Sequence, residues 1–177
     1  IVEEFKLNVK VPFRKLVQKY ITDLYRYQTG TGGFSIWPEP RYHYKTKPYL
    51  SAYVLYIMHM GKKLGYKVDA VVRSKTLSYL KNYLSGARMK SVYYSSRQHR
   101  IATNIFIYYI LSEFGEARES YADSLIRTID GHSLYVKSIF AKALFNINKD
   151  KYRDTISSII NEIFSKIKRE VSNSAFI

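Results

Sequence analysis

Tyr27-Gln28-Thr29-Gly30-Thr31-Gly32-Gly33-Phe34-Ser35-Ile36-Trp37-Pro38-Glu39-Pro40 lies between two strongly periodic apolar segments. The stretch holds three of the eight glycines, two of the four prolines and the only tryptophan. Glycines 30, 32 and 33 suit positive φ and close backbone approach, and Pro38 and Pro40 block helix continuation, so it predicts a helix-to-helix turn. A flexible linker would be rich in Gly and Ser without aromatics. Phe34 and Trp37 therefore make this a fixed corner. The pair is expected to plug the core, with an aromatic ligand floor as the alternative.

Upstream of the corner, Phe13, Leu16, Val17, Tyr20, Ile21 and Leu24 recur on one face, predicting a helix from about Pro12 to Gln28. Downstream, Pro48 opens a second helix. Its apolar residues occupy nearly the whole circumference, so it is expected to be buried on most sides. Gly65-Tyr66 closes it as a C′ glycine and an apolar residue that folds back. Asp69 is placed to cap a third helix running to Ser85-Gly86, with Arg73, Lys75, Lys81 and Asn82 outward. A fourth helix spans about Arg97 to Phe114, a fifth about Arg118 to Ile129 and a sixth about Ser133 to Phe145. After a polar turn at Asn146 to Asp150, a seventh runs from near Lys151 to Glu170. Arg41 to Lys47 is basic and aromatic, Ala87 to Ser96 reads as a looser piece, and Tyr93-Tyr94 is too short and isolated to nucleate a sheet.

Buried-looking and amphipathic helices alternate with a period of roughly 35 to 45 residues, the mark of stacked helical hairpins. The expected fold is all-α, with inner and outer helices, in a single domain over residues 1–177 that ends in a weakly structured tail at 171–177. Hydrophobic residues at 46% with 24% charged are ordinary for a globular domain. No apolar run approaches the roughly 20 residues that span a bilayer, and Ile1-Val2-Glu3-Glu4 is neither a signal nor a transit peptide. A start without methionine suggests an internal fragment.

The absence of cysteine excludes disulfides, thiolate zinc sites and cysteine nucleophiles from these residues without choosing a compartment. The net charge of +15 is unevenly placed. Residues 41–100 hold thirteen Lys or Arg against one acid, Asp69. Such a block is either a solvated basic face, the reading favoured here, or a salt-dependent surface for anions. Arg41-Tyr42-His43-Tyr44-Lys45 and Lys90-Ser91-Val92-Tyr93-Tyr94 match a single-strand nucleic-acid surface in composition only. With no nucleic-acid fold motif beside them, no specific nucleic acid is expected.

Gln28, Gly32-Gly33-Phe34, Trp37-Pro38 and a helix beginning Pro48-Tyr49-Leu50-Ser51-Ala52-Tyr53 together resemble the hairpin signature of α/α-toroid domains. They are most similar to the thioester domain of bacterial alpha-2-macroglobulins. Lys62-Lys63-Leu64-Gly65-Tyr66 and Tyr108 to Gly115 are also similar, and Leu134 to Leu144 approximately so, with Val136 where the family pattern has glycine. The resemblance covers about residues 12 to 170. It implies a partial α/α toroid of the terpenoid cyclase/prenyltransferase-like kind. The parent it implies is a periplasmic, secreted or membrane-anchored endopeptidase inhibitor, in which bait cleavage exposes a Cys–Gln thioester that acylates the trapped protease. The thioester motif Cys-x-Glu-Gln matches nothing in this chain, so either the fragment begins after it or the parent lacks it. The implied partners are the other domains of the parent chain and the proteases it traps. Seven helices make an open arc, whose apolar edge is expected to favour self-association.

The same corner occurs in terpene cyclases and prenyltransferase β subunits, whose chemistry needs an acidic cluster or an Asp/Cys/His zinc site. Here there is no Asp-Asp or Asp-x-Asp spacing and no cysteine. Among His43, His59, His99 and His132, no two have the spacing of a helical metal pair. An acyl-acceptor histidine of the complement type would have to be His99 or His43, but surface and packing roles are the reading adopted. No catalytic residue, cofactor or metal ligand is therefore assigned. Gln28, Gly32, Gly33, Phe34, Trp37 and Tyr53 are expected to form a structural corner. Two alternatives stay open. One is a toroid enzyme or carrier for an isoprenoid or glycan, with a cavity lined by Asp23, Asp69 or Asp123; the other is a basic module for anionic surfaces.

Overall fold

Helices in this chain end where the sequence supplies a backbone that cannot continue them. At the end of the second helix, Gly65 N–H donates to Lys62 O (3.0 Å) and Tyr66 N–H to Gly61 O (2.9 Å), with Gly65 at φ +80°. Gly115 repeats the motif, donating to Ser112 O while Glu116 donates to Leu111 O. Both are Schellman stops, which a left-handed glycine permits without a Cβ penalty.

A computed structural model describes residues 12–38, 46–86 and 96–174, with side chains to Ile167 in the last helix. Among them are α1 (Phe13–Asp23), a 3-10 turn (Leu24–Tyr27), α2 (Pro48–Lys63), α3 (Ala70–Leu84), α4 (Arg97–Glu113), α5 (Glu119–Ile126), α6 (Leu134–Asn148) and α7 (Arg153–Ser174). The described residues hold no strand, and the fold is all-α. Most of the basic segment at 41–47 and nearly all of 87–96, with Tyr93-Tyr94, lie outside them. So do His43 and Pro40.

Each of the seven expected helices is present, with altered ends. The first turns from α to 3-10 after Asp23 and leaves Gln28 extended at φ −72°, ψ 127°. The fifth is shorter than expected, and the sixth absorbs Asn146 to Asn148. The seventh begins at Arg153 and reaches Ser174. Three starts are capped by side chains, which satisfy first-turn N–H groups that have no partner within the helix. Asp69 Oδ1 accepts from Val71 and Val72 (2.8 and 2.9 Å), Ser96 accepts from His99, and Ser133 accepts from Val136.

The chain divides into two compact units, residues 1–79 and 80–177. In the first, Phe34, Val54 and Met58 form the buried centre, with Leu24, Tyr25, Tyr27, Leu50, Val68 and Val72 against it. Ile21 presses α1 onto α2 at Gly61, where an added Cβ would lie 2.9 Å from its Cδ1. Gln18 clamps the α2–α3 connection, donating to Lys67 O (2.9 Å) and accepting from Lys67 N (2.8 Å). The expectation that α2 is buried on most sides is corrected. Ala52, Val54, Leu55 and Met58 are buried, but Tyr49, Tyr53 and Met60 are exposed on the opposite stripe. Helical spacing puts these three on one face, so α2 is one-sided within its unit.

In the second unit α4 packs against α6 and α6 against α7. Ile105, Tyr108, Phe140, Leu144, Tyr152 and Ile159 are buried there, and the Tyr108 ring lies 5.7 Å from Tyr121 and 6.4 Å from Phe140. Lys137, on α6, is only 6% exposed. Its Nζ donates to Glu162 Oε2 on α7 at 2.6 Å, and Lys166 holds the other oxygen at 3.0 Å. A buried ammonium stripped of its carboxylate is costly, whereas an apolar replacement of the ammonium is nearly neutral. Glu162→Ala is therefore expected to lower Tm more than Glu119→Ala, whose partner Lys151 is exposed and reaches water. Adding Lys137→Met to Glu162→Ala should recover most of that loss. Thermal unfolding followed by circular dichroism checks both, and a double variant no more stable than Glu162→Ala would refute the argument.

Candidate functional site

The corner between α1 and α2 is closed by its own backbone. Thr29 N–H donates to Gly33 O (2.8 Å), Gly32 N–H to Thr29 O (2.9 Å) and Ser35 N–H to Tyr27 O (3.0 Å), which pairs Gln28 with Phe34 in an isolated antiparallel bridge. Phe34 O accepts from Lys47 N–H (2.9 Å), and Phe34 N–H donates to Ser51 Oγ (2.8 Å). Ser51 in turn donates to Lys47 O at 2.7 Å. The first turn of α2 is thus tied to the corner at two points, both on the Phe34 backbone.

Gln28 ties the same corner to α3. Its Nε2 lies 2.8 Å from Val72 O, 3.1 Å from Gly32 O and 3.1 Å from Thr76 Oγ1. An amide nitrogen has two hydrogens, so these acceptors share them, and Thr76 also donates to Val72 O at 2.9 Å. Glutamine suits this place because an extended residue outside the helix needs a donor long enough to reach the next one.

Of the three corner glycines, Gly32 alone has the expected positive φ (+90°), and its missing Cβ makes room for Lys75 O, a close backbone approach of the kind expected. Gly33 has no special φ, but an added Cβ would fall 2.7 Å from Tyr79 Cζ and closer still to Thr46 Cγ2. At Gly30 nothing lies within 4 Å. Phe34 is wholly buried, but Trp37 is 58% exposed and Tyr53 48%. Trp37 as a core plug is thus corrected: Phe34 alone of the two aromatics fills the centre of the unit.

What this site can do chemically follows from its hydroxyls. Thr46 donates to Thr29 (3.1 Å), and Thr29 lies 2.8 Å from Thr31 Oγ1 and 3.2 Å from Gly33 O. Thr29 thus gathers two hydroxyls and a carbonyl, groups that hold the turn together. Among the described residues no group of three or more His or acidic side chains could hold a metal ion. His99 is exposed on the first turn of α4, whereas His132 is buried, and burial together with Lys137 lowers its pKa. Asp69 is used as a cap, and Asp123 accepts from the Tyr152 hydroxyl (3.3 Å).

The second unit holds two features that no local pattern announced. Glu119 accepts from Asn148 Nδ2 (3.1 Å) and Lys151 Nζ (3.0 Å), and these two bonds lower its pKa. Lys151 also sits 5.0 Å over the Tyr152 ring. This cluster fixes the start of α5 to the α6–α7 turn. The other feature is a cavity of about 270 Å³ between the end of α3, α4 and the α4–α5 connection. Tyr108 and Leu111 form its floor, and the Tyr108 hydroxyl donates to Arg118 O at 2.9 Å.

No protein-family model matches the chain, and neither does any curated protein. Solved structures do match. The fold is shared with a bacterial alpha-2-macroglobulin. A crystal structure of part of the native Escherichia coli protein, running to its C-terminus, superposes with a TM-score of 0.76 at 18% identity, over 90% of this chain and 26% of that one. The native conformation of the E. coli protein by cryo-electron microscopy gives the same score and identity over 10% of its chain. The trypsin-activated crystal form gives 0.71 at 20% identity, over 84% of this chain and 10% of that one. The chain thus spans from a tenth to about a quarter of the proteins it matches. No helix among the described residues is long and apolar enough to cross a membrane.

Proposed function

We propose that this chain is a non-catalytic segment of a bacterial alpha-2-macroglobulin-like protein, part of the toroidal scaffold of its thioester domain. The observation that carries this reading is the match over 90% of the chain to native alpha-2-macroglobulin from E. coli. The corner supports it. Gln28, Gly32, Gly33 and Phe34 are engaged in backbone closure, in anchoring α3 and in filling a core, and among the described residues none is bonded to a base or an acid. On this reading the chain buries and presents the reactive group of its parent and does not supply it. Its partners are the other domains of the parent, and through them the proteases the parent traps, in the periplasm, at the membrane or outside the cell.

The test uses the full-length parent with trypsin, the protease of the activated E. coli form. Trapped trypsin is expected to comigrate with the parent on a native gel, keep its activity on a small chromogenic peptide and lose it on casein. Undiminished casein hydrolysis at a molar excess of parent would overturn the proposal.

A further inference from the structure

The cavity in the second unit is built, and its walls and rim differ in chemistry. The Schellman stop at Gly115 reverses the chain sharply, so that Glu116, Ala117 and Arg118 swing over the end of α4. Tyr108, fully buried, props that connection from below through its hydrogen bond to Arg118 O, and its ring leans on Tyr121 at 5.7 Å. Across the opening, Lys81 Nζ reaches Glu116 Oε2 at 2.7 Å. What remains between them is about 270 Å³ with Leu84, Leu111, Ala117 and the two tyrosine rings as its wall. Apolar walls with a few polar groups at the mouth are the usual make-up of a small-molecule site.

The charges at the mouth choose the ligand. Glu116 is neutralised by Lys81, and Glu119, next along the chain, by Lys151 and Asn148. Arg118, exposed at the same rim, is left as the cation without a carboxylate partner among the described residues. A guanidinium binds a carboxylate through two parallel hydrogen bonds, and aromatic walls favour a flat ring. We infer that this cavity is a binding site for a small aromatic carboxylate, its ring between Leu84, Leu111 and Tyr121 and its carboxylate on Arg118.

The inference is independent of the protease-trapping reading and is tested on the whole chain with 1-naphthaleneacetate, by ligand-observed NMR and titration calorimetry. A ligand of this size is expected to bind with Kd of about 1 mM or tighter. The matched alcohol, 2-(1-naphthyl)ethanol, should bind several-fold more weakly, and so should the acid to Arg118→Glu. Ala117→Trp, which fills the hollow from its rim, should weaken binding about tenfold or more. Ser120→Phe, at an exposed lining position, serves the same purpose if the first variant melts early. No saturable binding up to 10 mM, or binding unchanged by both filling variants, overturns the site, and equal affinity for acid and alcohol overturns the carboxylate.

Discussion

Phe34→Ala is expected to destabilise the chain by about 3–5 kcal/mol, the range for removing a large aromatic from a packed interior. Phe34 is wholly buried, and the centre of its unit, Val54 and Met58 with Leu24, Tyr25, Tyr27, Leu50, Val68 and Val72, closes around it. These neighbours come from the 3-10 turn after α1, from α2, and from α3 with the connection leading into it, so one side chain holds three elements. The cavity left by alanine cannot collapse easily, because the Phe34 backbone is fixed by Ser51 Oγ and Lys47 N–H. Ile36→Ala, two residues on at a position 58% exposed, should stay within about 0.5 kcal/mol. Urea unfolding read at the midpoint with an unchanged m-value checks both. If the two variants cost the same, Phe34 is not the anchor of the corner.

The contrast between Phe34 and Trp37 shows what the sequence could and could not disclose. Helix periodicity, the proline at the start of α2, the Asp69 cap and the glycine stops at 65 and 115 are local signals, and each is present in the structure. Whether an aromatic side chain is buried is not local. It depends on which way the turn sends the chain, and only two residues separate the fully buried Phe34 from the exposed Trp37. The α2 stripe has the same cause. Tyr49, Tyr53 and Met60 are apolar enough to be read as core, but helical spacing alone does not say which face of α2 is covered.

Long-range polar partners were equally hidden. Gln28 could be read as belonging to the turn, but not as bonded to Val72 and Thr76, 44 and 48 positions away. Ser51 and Thr76 look like surface residues by type and are fully buried because each serves the corner. Lys137 looks like one lysine among many and is buried with its ammonium paired to Glu162, an acid in the middle of another helix. Charge runs in a chain of net charge +15 cannot show which cation has found its acid.

Gly32→Ala is expected to cost about 3 kcal/mol, and Gly30→Ala close to nothing, although they stand two residues apart in the same turn. At Gly32 two penalties add. A φ of +90° disfavours any L side chain, worth about 1–2 kcal/mol. The new Cβ would also lie 2.5 Å from Lys75 O, a carbonyl belonging to the middle of α3 and unable to swing aside as a side chain could. Either α3 shifts or the corner does. If the corner moves, Gly32 O withdraws from Gln28 Nε2, and the bonds from Gln28 to Val72 and Thr76 are strained with it. At Gly30 φ is not positive and nothing lies within 4 Å, so alanine there should be neutral or slightly stabilising through the lower entropy of the unfolded chain. Urea midpoints of the two variants give the comparison directly. Equal costs would mean that the corner tolerates displacement from α3, and that the Gln28 bridge does not fix their spacing. A large difference would mean that the Gly32 contact sets how closely the corner packs on α3.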